Sequence, residues 1–311
     1  MEIKIDQRIE LITIIQTICG YWDNLAKIFN DSKLFQCEYK ENINQYFDKY
    51  KQHETINIFK ELSDIEQGIS TFLILILNYS DPPDLIKIGN NDENKYEHFI
   101  NSIRKFYQET KFSNFYENNK YIYDKMLSDF GNKENILMEV SRIFEYFDIE
   151  NKNYKVIISP LVMGNFGIHI NKSNYIILSP FDYKDNKYIF GSKEYLRQTI
   201  WHEIGHTVIN DLTKKYYDLS EHKNMEVPQI FVKQFYNNTE TIINEYIIRS
   251  IVYLLENDKN SKKNILEYEK NTGFTEIKNI GNYILKNNME DNRFIKDKKY
   301  KKLIDFVFKI I

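Results

Sequence analysis

The chain has 311 residues, of which 42% are hydrophobic, 15% aromatic and 28% charged, so it can bury a sizeable core and is not a disordered protein. Its 42 basic and 45 acidic residues give a net charge of -3, whereas a phosphate-binding surface normally needs a basic excess. Two cysteines are too few for a disulfide framework in a chain of this size. These values favour a compact globular protein and argue against nucleic acid as its partner.

Neither a targeting signal nor a membrane-spanning segment is predicted. The apolar run near the start is interrupted by Asp6, Arg8 and Glu10, unlike the core of a secretory signal. The longest later apolar stretches, 72–77 and 247–255, are too short or too polar to span a bilayer. We therefore expect no membrane partner. The expected location is cytoplasmic for the sequence as given, and secreted if a leader has been removed from it.

Two kinds of pattern divide the chain near residue 150. Residues 1–150 show the apolar spacing of successive amphipathic helices, with the clearest break at Pro82-Pro83. After that point, β-branched runs punctuated by Gly, Pro and Asn predict short strands at Lys155–Ser159, Phe166–Ile170 and Tyr175–Ser179. Helices are expected to resume after Ser192, a predicted N-cap, and again at about 240–256, 260–271, 275–288 and 298–310.

The motif that carries chemistry is HEIGH, from His202 to His206. On a helix, histidines four residues apart project from one face, so both imidazoles can reach one zinc ion. Glu203 follows the first histidine and is placed to act as general base on water held by the metal, as in metalloproteases with an H-E-x-x-H motif. Such a motif arises by chance in roughly one in a hundred chains of this kind, as a pair of core histidines. The mid-helix Gly205 indicates that another element packs tightly there.

A catalytic zinc usually has three protein ligands, so one more is expected. His222 is the one histidine after the motif, so a glutamate is expected as the third ligand. The candidates are Glu221, Glu226, Glu240 and Glu245. We favour Glu245, because an acidic residue in the middle of an apolar helix is costly unless it is paired or metal-bound. Glu240 lies in the first turn, where its charge is explained by the helix dipole.

With these residues the chain resembles the gluzincin group of zinc metallopeptidases. It is more closely similar to an uncharacterised bacterial family described as a domain of unknown function with metallopeptidase character. The resemblance covers the chain to about residue 256, and the matching segments are Arg8–Leu11 with Gly20, Tyr46–His53, Trp201–Asn210 and Asn244–Ile251. One departure is Asp211, where a proline is expected after Asn210, and it concerns helix termination. The resemblance implies a zinc hydrolase and names no substrate.

Several further residues are weaker candidates. Arg249, one turn beyond Glu245, is expected to brace it, to bind a substrate carboxylate, or to form a plain salt bridge, and Asn210 is a second supporting residue. His53 either lines the cleft or is a surface or capping residue. The candidates for polarising the scissile carbonyl are Tyr216, Tyr217, His222 and Tyr236. His98 and His169 are read as structural.

These features predict an α+β protein with a helical region at residues 1–150 and a zincin-like region at residues 151–311 that carries a small sheet and the HExxH helix. A strand at 166–170 or 175–179 is expected to form the wall of the cleft. The predicted function is zinc-dependent hydrolysis of a peptide or protein substrate. Two alternatives stay open: a zinc hydrolase of a non-peptide amide or ester, and a non-catalytic binding protein that contains zinc. The retained Glu203 argues against the second, since a structural zinc needs no base.

Overall fold

The computed structural model describes residues 1–28, 36–65, 70–88, 94–131, 133–217, 226–234, 236, 238–287 and 299–311. The chain is mostly helical (67%) with a small mixed sheet, so the predicted α+β class is confirmed. Two of the candidate residues, Glu221 and His222, lie outside the described residues. Of the described helices, none has the length and apolar character needed to cross a membrane.

Backbone contacts group the chain into two compact units. Unit 1 contains Met1–Lys133 and Asn153–Gly191, and unit 2 contains Glu134–Lys152 and Ser192–Ile311. This grouping differs from the predicted division at residue 150, because the sheet groups with the N-terminal helices and not with the HExxH helix. The physical reason is strand pairing: a short strand at the N-terminus, Glu2–Lys4, pairs with the first strand after residue 150.

Unit 1 is built on a helix that is buried on nearly all sides. Its helices are α1 (Gln7–Ile18), α2 (Tyr21–Ile28), α3 (Glu38–Phe47), α4 (Glu54–Ile65), α5 (Thr71–Leu77), α6 (Glu97–Glu109), α7 (Phe112–Asn118) and α8 (Lys120–Phe130). Helix α1 begins at an N-cap, Asp6, whose carboxylate accepts from the backbone N–H of Arg8 and pairs with its guanidinium at 2.7 Å. One turn further on, the fully buried Glu10 accepts a hydrogen bond from the hydroxyl of Tyr39 at 2.6 Å.

The sheet of unit 1 has four strands in the order β1-β2-β4-β3. They are β1 (Glu2–Lys4), β2 (Tyr154–Ile158), β3 (Phe166–Ile170) and β4 (Ser173–Leu178). Strand β2 pairs in parallel with β1 and β4, and β3 pairs antiparallel with β4. The central β2 is mostly apolar, as expected for a strand that is buried on both faces. Three strands therefore lie where the sequence predicts them, whereas β1 was not predicted.

A separate hairpin follows the sheet in unit 1. Its strands, β5 (Asp182–Lys184) and β6 (Lys187–Ile189), pair antiparallel. The two residues of the turn, Asp185 and Asn186, have φ values of 50° and 58°. Left-handed backbone at both positions is what a tight two-residue hairpin loop requires, and Asp and Asn tolerate it better than other non-glycine residues.

Unit 2 is helical in all its described secondary structure. It comprises α9 (Lys133–Phe147), α10 (Lys193–Tyr216), α11 (Gln229–Val232), α12 (Thr239–Leu255), α13 (Lys259–Asn271), α14 (Ile277–Lys286) and α15 (Lys299–Ile310). Helix α10 begins at Ser192, whose hydroxyl accepts from the backbone N–H of Tyr195, so the predicted N-cap is confirmed. Near its other end, the hydroxyls of Thr213 and Tyr300 meet at 2.7 Å and connect α10 to α15.

Candidate metal centre

Helices α10 and α12 pack side by side in the core of unit 2. On α10, Ile200, Trp201 and Ile204 are buried, and α12 is buried along almost its whole length. At their closest approach, the position of a Cβ on Gly205 would lie only 2.8 Å from Cγ2 of Ile248. The absence of a side chain at Gly205 therefore lets α12 come close to the turn of α10 that carries the two histidines.

The structure brings together three of the predicted site residues. His202 Nε2 and His206 Nε2 lie 3.1 Å apart, because the histidines are one turn apart on one helix face. From the neighbouring helix, Glu245 places Oε2 at 3.4 Å from His202 Nε2 and Oε1 at 3.3 Å from His206 Nε2. One ligand atom from each residue lies within 4.8 Å of the other two. Glu240, the alternative ligand on the same helix, is not part of this group.

These distances match those between the ligands of a zinc ion. In a tetrahedral site with ligands 2.0–2.1 Å from zinc, the ligand atoms lie about 3.3–3.4 Å apart. Two imidazole nitrogens and a carboxylate oxygen are a donor set that zinc prefers, and three protein ligands leave one position open. The side chains of His202 and His206 keep 18% and 16% of their surface exposed, so neither ring is fully closed off from solvent.

His202, His206 and Glu245 shift one another's pKa values. Burial lowers the pKa of His202 to about 3. Burial acts in the same direction on His206, but the hydrogen bond to Glu245 and the charge of that carboxylate outweigh it and raise the pKa of His206 to about 9. The pKa of Glu245 is lowered although burial opposes this, because Arg249 and the two histidines stabilise the carboxylate. These shifts favour an ionised Glu245 beside the two imidazoles, which is the form in which a carboxylate binds a metal.

Glu203 lies next to His202 on α10. Its side chain is buried, and its charge contributes to the raised pKa of His206. It is not one of the three residues that could hold a metal, which are His202, His206 and Glu245. Asn210 lies one turn further along, where its Oδ1 is 3.2 Å from Nδ1 of His206. A proton held on Nδ1 by Asn210 leaves the Nε2 lone pair of His206 directed at the site.

Arg249 connects the ligand carboxylate to a second buried acid. Its Nε donates to Glu245 Oε2 at 3.0 Å, and its Nη1 donates to both oxygens of Glu269, at 2.8 and 2.7 Å. The hydroxyl of Tyr236 accepts from Nη2 of Arg249 at 3.2 Å. Glu269 was not predicted from the sequence. Its spacing could have indicated it, because Glu269 follows Ile265 by one turn and so lies on the buried face of α13.

The remaining candidates lie elsewhere or have other contacts. His53 precedes α4 in unit 1, and its Nδ1 accepts from the backbone N–H of Thr55, which is a capping contact. His169 lies exposed on β3, with Nδ1 at 2.6 Å from the side chain of Asn174. Glu226 is exposed. The sheet belongs to unit 1 and the candidate metal ligands to unit 2, so a strand as the wall of the cleft stays a prediction.

Two of the predicted tyrosines lie at the end of the HExxH helix. Tyr216 is the last residue of α10, and its ring centroid is 6.1 Å from that of Tyr300. Tyr217 follows as the C-cap. Tyr236, by contrast, contacts Arg249, and the charges of Glu245 and Glu203 act on its hydroxyl. Of the three predicted tyrosines, Tyr236 is therefore the one that contacts a residue of the candidate centre, Arg249.

The fold and the three converging ligands thus define a helical unit with a candidate mononuclear metal centre. Comparison with protein families shows that the chain belongs to a family described as a domain of unknown function (DUF4932), which matches residues 1–311. No curated protein and no solved structure is detectably similar to the chain.

Proposed function

We propose that this protein is a zinc-dependent hydrolase of peptide bonds. The observation that carries the proposal is the convergence of His202, His206 and Glu245, at distances of 3.1–3.4 Å, beside a buried glutamate that is not part of the ligand group. Charge supports it as well. With neutral imidazoles, the carboxylates of Glu203, Glu245 and Glu269 and the guanidinium of Arg249 give a formal charge of -2. A divalent cation would bring this buried cluster to neutrality.

When bound, zinc would polarise a substrate carbonyl and lower the pKa of water toward about 7. His202, His206 and Glu245 would hold the ion, and a site with three protein ligands has a fourth position for water or substrate. Asn210 orients His206, and Arg249 orients Glu245. The role that remains for Glu203 is proton transfer: its carboxylate accepts a proton from the attacking water and returns it to the nitrogen of the leaving amine. Because Glu203 gives up the proton that it accepted, its carboxylate is regenerated at the end of the reaction.

The test compares the wild-type protein with Glu203→Gln after removal and return of zinc. Both proteins are stripped with a chelator, restored with one equivalent of Zn²⁺ and incubated with a mixed library of quenched fluorescent peptides. We expect cleavage by the restored wild type and a loss of about 100- to 10,000-fold in the variant, because general-base catalysis contributes this much. Both proteins should bind the same amount of zinc, since Glu203 is not a ligand.

The other functions would give different results. Cleavage of ester or non-peptide amide substrates without any cleavage of peptides would point to the non-peptide hydrolase. Stoichiometric zinc without hydrolysis of any substrate class would point to a non-catalytic binding protein. Equal turnover by Glu203→Gln and the wild type would refute the role of Glu203 as the base.

A further inference from the structure

The guanidinium of Arg249 is surrounded by hydrogen-bond and ion-pair partners. Nε and Nη2 both approach Oε2 of Glu245, at 3.0 and 2.9 Å, and Nη1 is held by both oxygens of Glu269. Nη2 also donates to Tyr236, and the guanidinium carbon lies 4.3 Å from the ring centroid of Phe274. All three nitrogens of this guanidinium are engaged within unit 2. Arg249 is therefore not disposed to bind a substrate carboxylate, one of the roles that the sequence suggested.

Arg249 also holds the carboxylate of Glu245 in place. Two nitrogens of Arg249 contact Oε2 of Glu245, which in turn lies 3.4 Å from Nε2 of His202. Oε1 lies on the side of His206, at 3.3 Å from its Nε2. Ligand carboxylates in metal sites are commonly oriented by such outer hydrogen bonds. Each oxygen of Glu245 thus lies near one histidine of the site, and Arg249 fixes the carboxylate through Oε2.

A cation beside a ligand carboxylate has an electrostatic cost, however. The positive charge of Arg249 repels a dication that binds the same carboxylate, and burial makes this repulsion stronger than it would be in water. The bidentate partner Glu269, 7% exposed on α13, supplies the compensating negative charge. Glu245, Arg249 and Glu269 together carry a formal charge of -1, whereas the first two alone carry none.

We infer that Glu269 is a positioning residue of the metal centre, which acts through Arg249. It fixes the guanidinium in the orientation that presents Glu245 and cancels the charge that would oppose the metal. This inference rests on the proposed zinc site, to which it adds a residue on a third helix. Glu267, two residues earlier on α13, is exposed and provides a matched control of the same type and charge.

The test measures Zn²⁺ dissociation constants by competition with a chromophoric chelator. We expect Glu269→Gln to bind zinc about 10- to 100-fold more weakly than the wild type, the usual effect of losing an outer-shell partner. Glu267→Gln should bind as the wild type does. Glu269→Asp keeps the charge and should recover part of the affinity. The double variant Arg249→Gln/Glu269→Gln restores the formal charge of -1 and should bind zinc more tightly than Glu269→Gln alone.

Two further measurements separate positioning from a structural role. Thermal unfolding of the metal-free proteins shows whether Glu269→Gln is folded at the temperature of the titration. The visible absorption of the Co²⁺-loaded proteins reports the ligand geometry, and we expect the bands of Glu269→Gln to shift while those of Glu267→Gln do not. A merely structural residue would lower the melting temperature without changing the cobalt spectrum of the folded protein.

The outcomes distinguish the two proposals. A wild-type protein that binds no zinc would refute the proposed function and the inference with it. A wild type that binds zinc, with unchanged affinity and cobalt spectrum in Glu269→Gln, would overturn the inference alone. Weaker binding in the double variant than in Glu269→Gln would overturn the charge part of the inference, because removal of the positive charge of Arg249 would then not have favoured the metal.

Discussion

The side chain of Ile248 occupies the space in which a Cβ atom of Gly205 would lie, with its Cγ2 only 2.8 Å from that position. These two residues define the point where the helix with both histidines meets the helix with Glu245. Ile248 lies three residues after Glu245 on α12, so any movement of this contact also moves the third ligand. Close packing of two helices thus sets the geometry of the candidate metal centre.

Gly205→Ala should therefore weaken zinc binding although it improves helix propensity. The gain in propensity is about 1 kcal/mol, and overpacking a core typically costs about 1–3 kcal/mol. Ile248 is β-branched and strongly restricted in χ1 within a helix, so its methyl group cannot swing away. We expect the free energy of unfolding to fall, or to stay nearly unchanged if the gain in helix propensity offsets the cost of overpacking. Zinc affinity should clearly decrease. Urea unfolding and zinc competition measure the two effects separately.

Gly281→Ala is the matched control. It adds the same methyl group to α14, where the nearest atom is the end of the Leu254 side chain at 3.3 Å. Leu254 can adjust at χ2, so this substitution should leave zinc affinity unchanged. Equal zinc affinities in Gly205→Ala and the wild type would show that the contact with Ile248 does not position Glu245.

The two histidines should each be necessary for the metal. His202→Ala or His206→Ala removes one of three ligands, and the protein should lose its single zinc in elemental analysis after gel filtration. His169→Ala, an exposed residue of β3, should keep one zinc per chain. Retention of zinc by both HExxH variants would place the metal elsewhere.

Glu245→Ala and Glu240→Ala should differ sharply, although both remove an acid from α12. Glu245 is buried and faces both imidazoles, so its loss leaves two ligands and should weaken zinc binding severely. Glu240 is half-buried in the first turn, and its loss should cost a few tenths to about 1 kcal/mol of stability. Zinc affinities measured side by side decide between them. A loss in Glu240→Ala with retention in Glu245→Ala would reverse the assignment.

A pH dependence of stability is expected from Glu10 in unit 1. Burial raises the pKa of this carboxyl from 4.5 to about 7, and hydrogen bonding offsets the shift only in part. Between these two values the folded protein holds a proton that the unfolded chain has released. The stabilisation is therefore complete below pH 4.5 and is lost as the pH rises through 7, by about 3 kcal/mol.

Denaturant unfolding of the wild type and Glu10→Gln across pH 4 to 8 measures this effect. The amide cannot ionise, so the variant should lose the fall in stability between pH 5 and 7 while still accepting a hydrogen bond from Tyr39. Glu38→Gln, on the solvent-facing side of α3, serves as the control and should retain the wild-type slope. The same slope in Glu10→Gln as in the wild type would show that Glu10 is not the group that titrates.

Local features of the sequence were sufficient for much of the fold. Runs of β-branched residues between Gly, Pro and Asn predicted β2, β3 and β4 to within two residues, and Ser192 was correctly predicted as the N-cap of α10. Strand β1 was not predicted, because three residues are too few to show the alternation of a strand. Its partner β2 lies about 150 residues away in the sequence. That pairing ties the sheet to the N-terminal helices, and no local pattern encodes it.

At the candidate centre, the sequence by itself determined that His202 and His206 share a face and that Glu203 lies beside them, since one helical turn fixes these relations. The sequence also indicated that Glu245 has a partner, because a carboxylate inside an apolar helix is costly unless it is paired or metal-bound. Only the tertiary structure decided what that partner is. The approach of α12 to Gly205 brings Glu245 to the histidines, and the packing of α13 brings Glu269 to Arg249. Such contacts depend on how helices distant in sequence fill one core, and the spacing of residues along a single helix does not contain them.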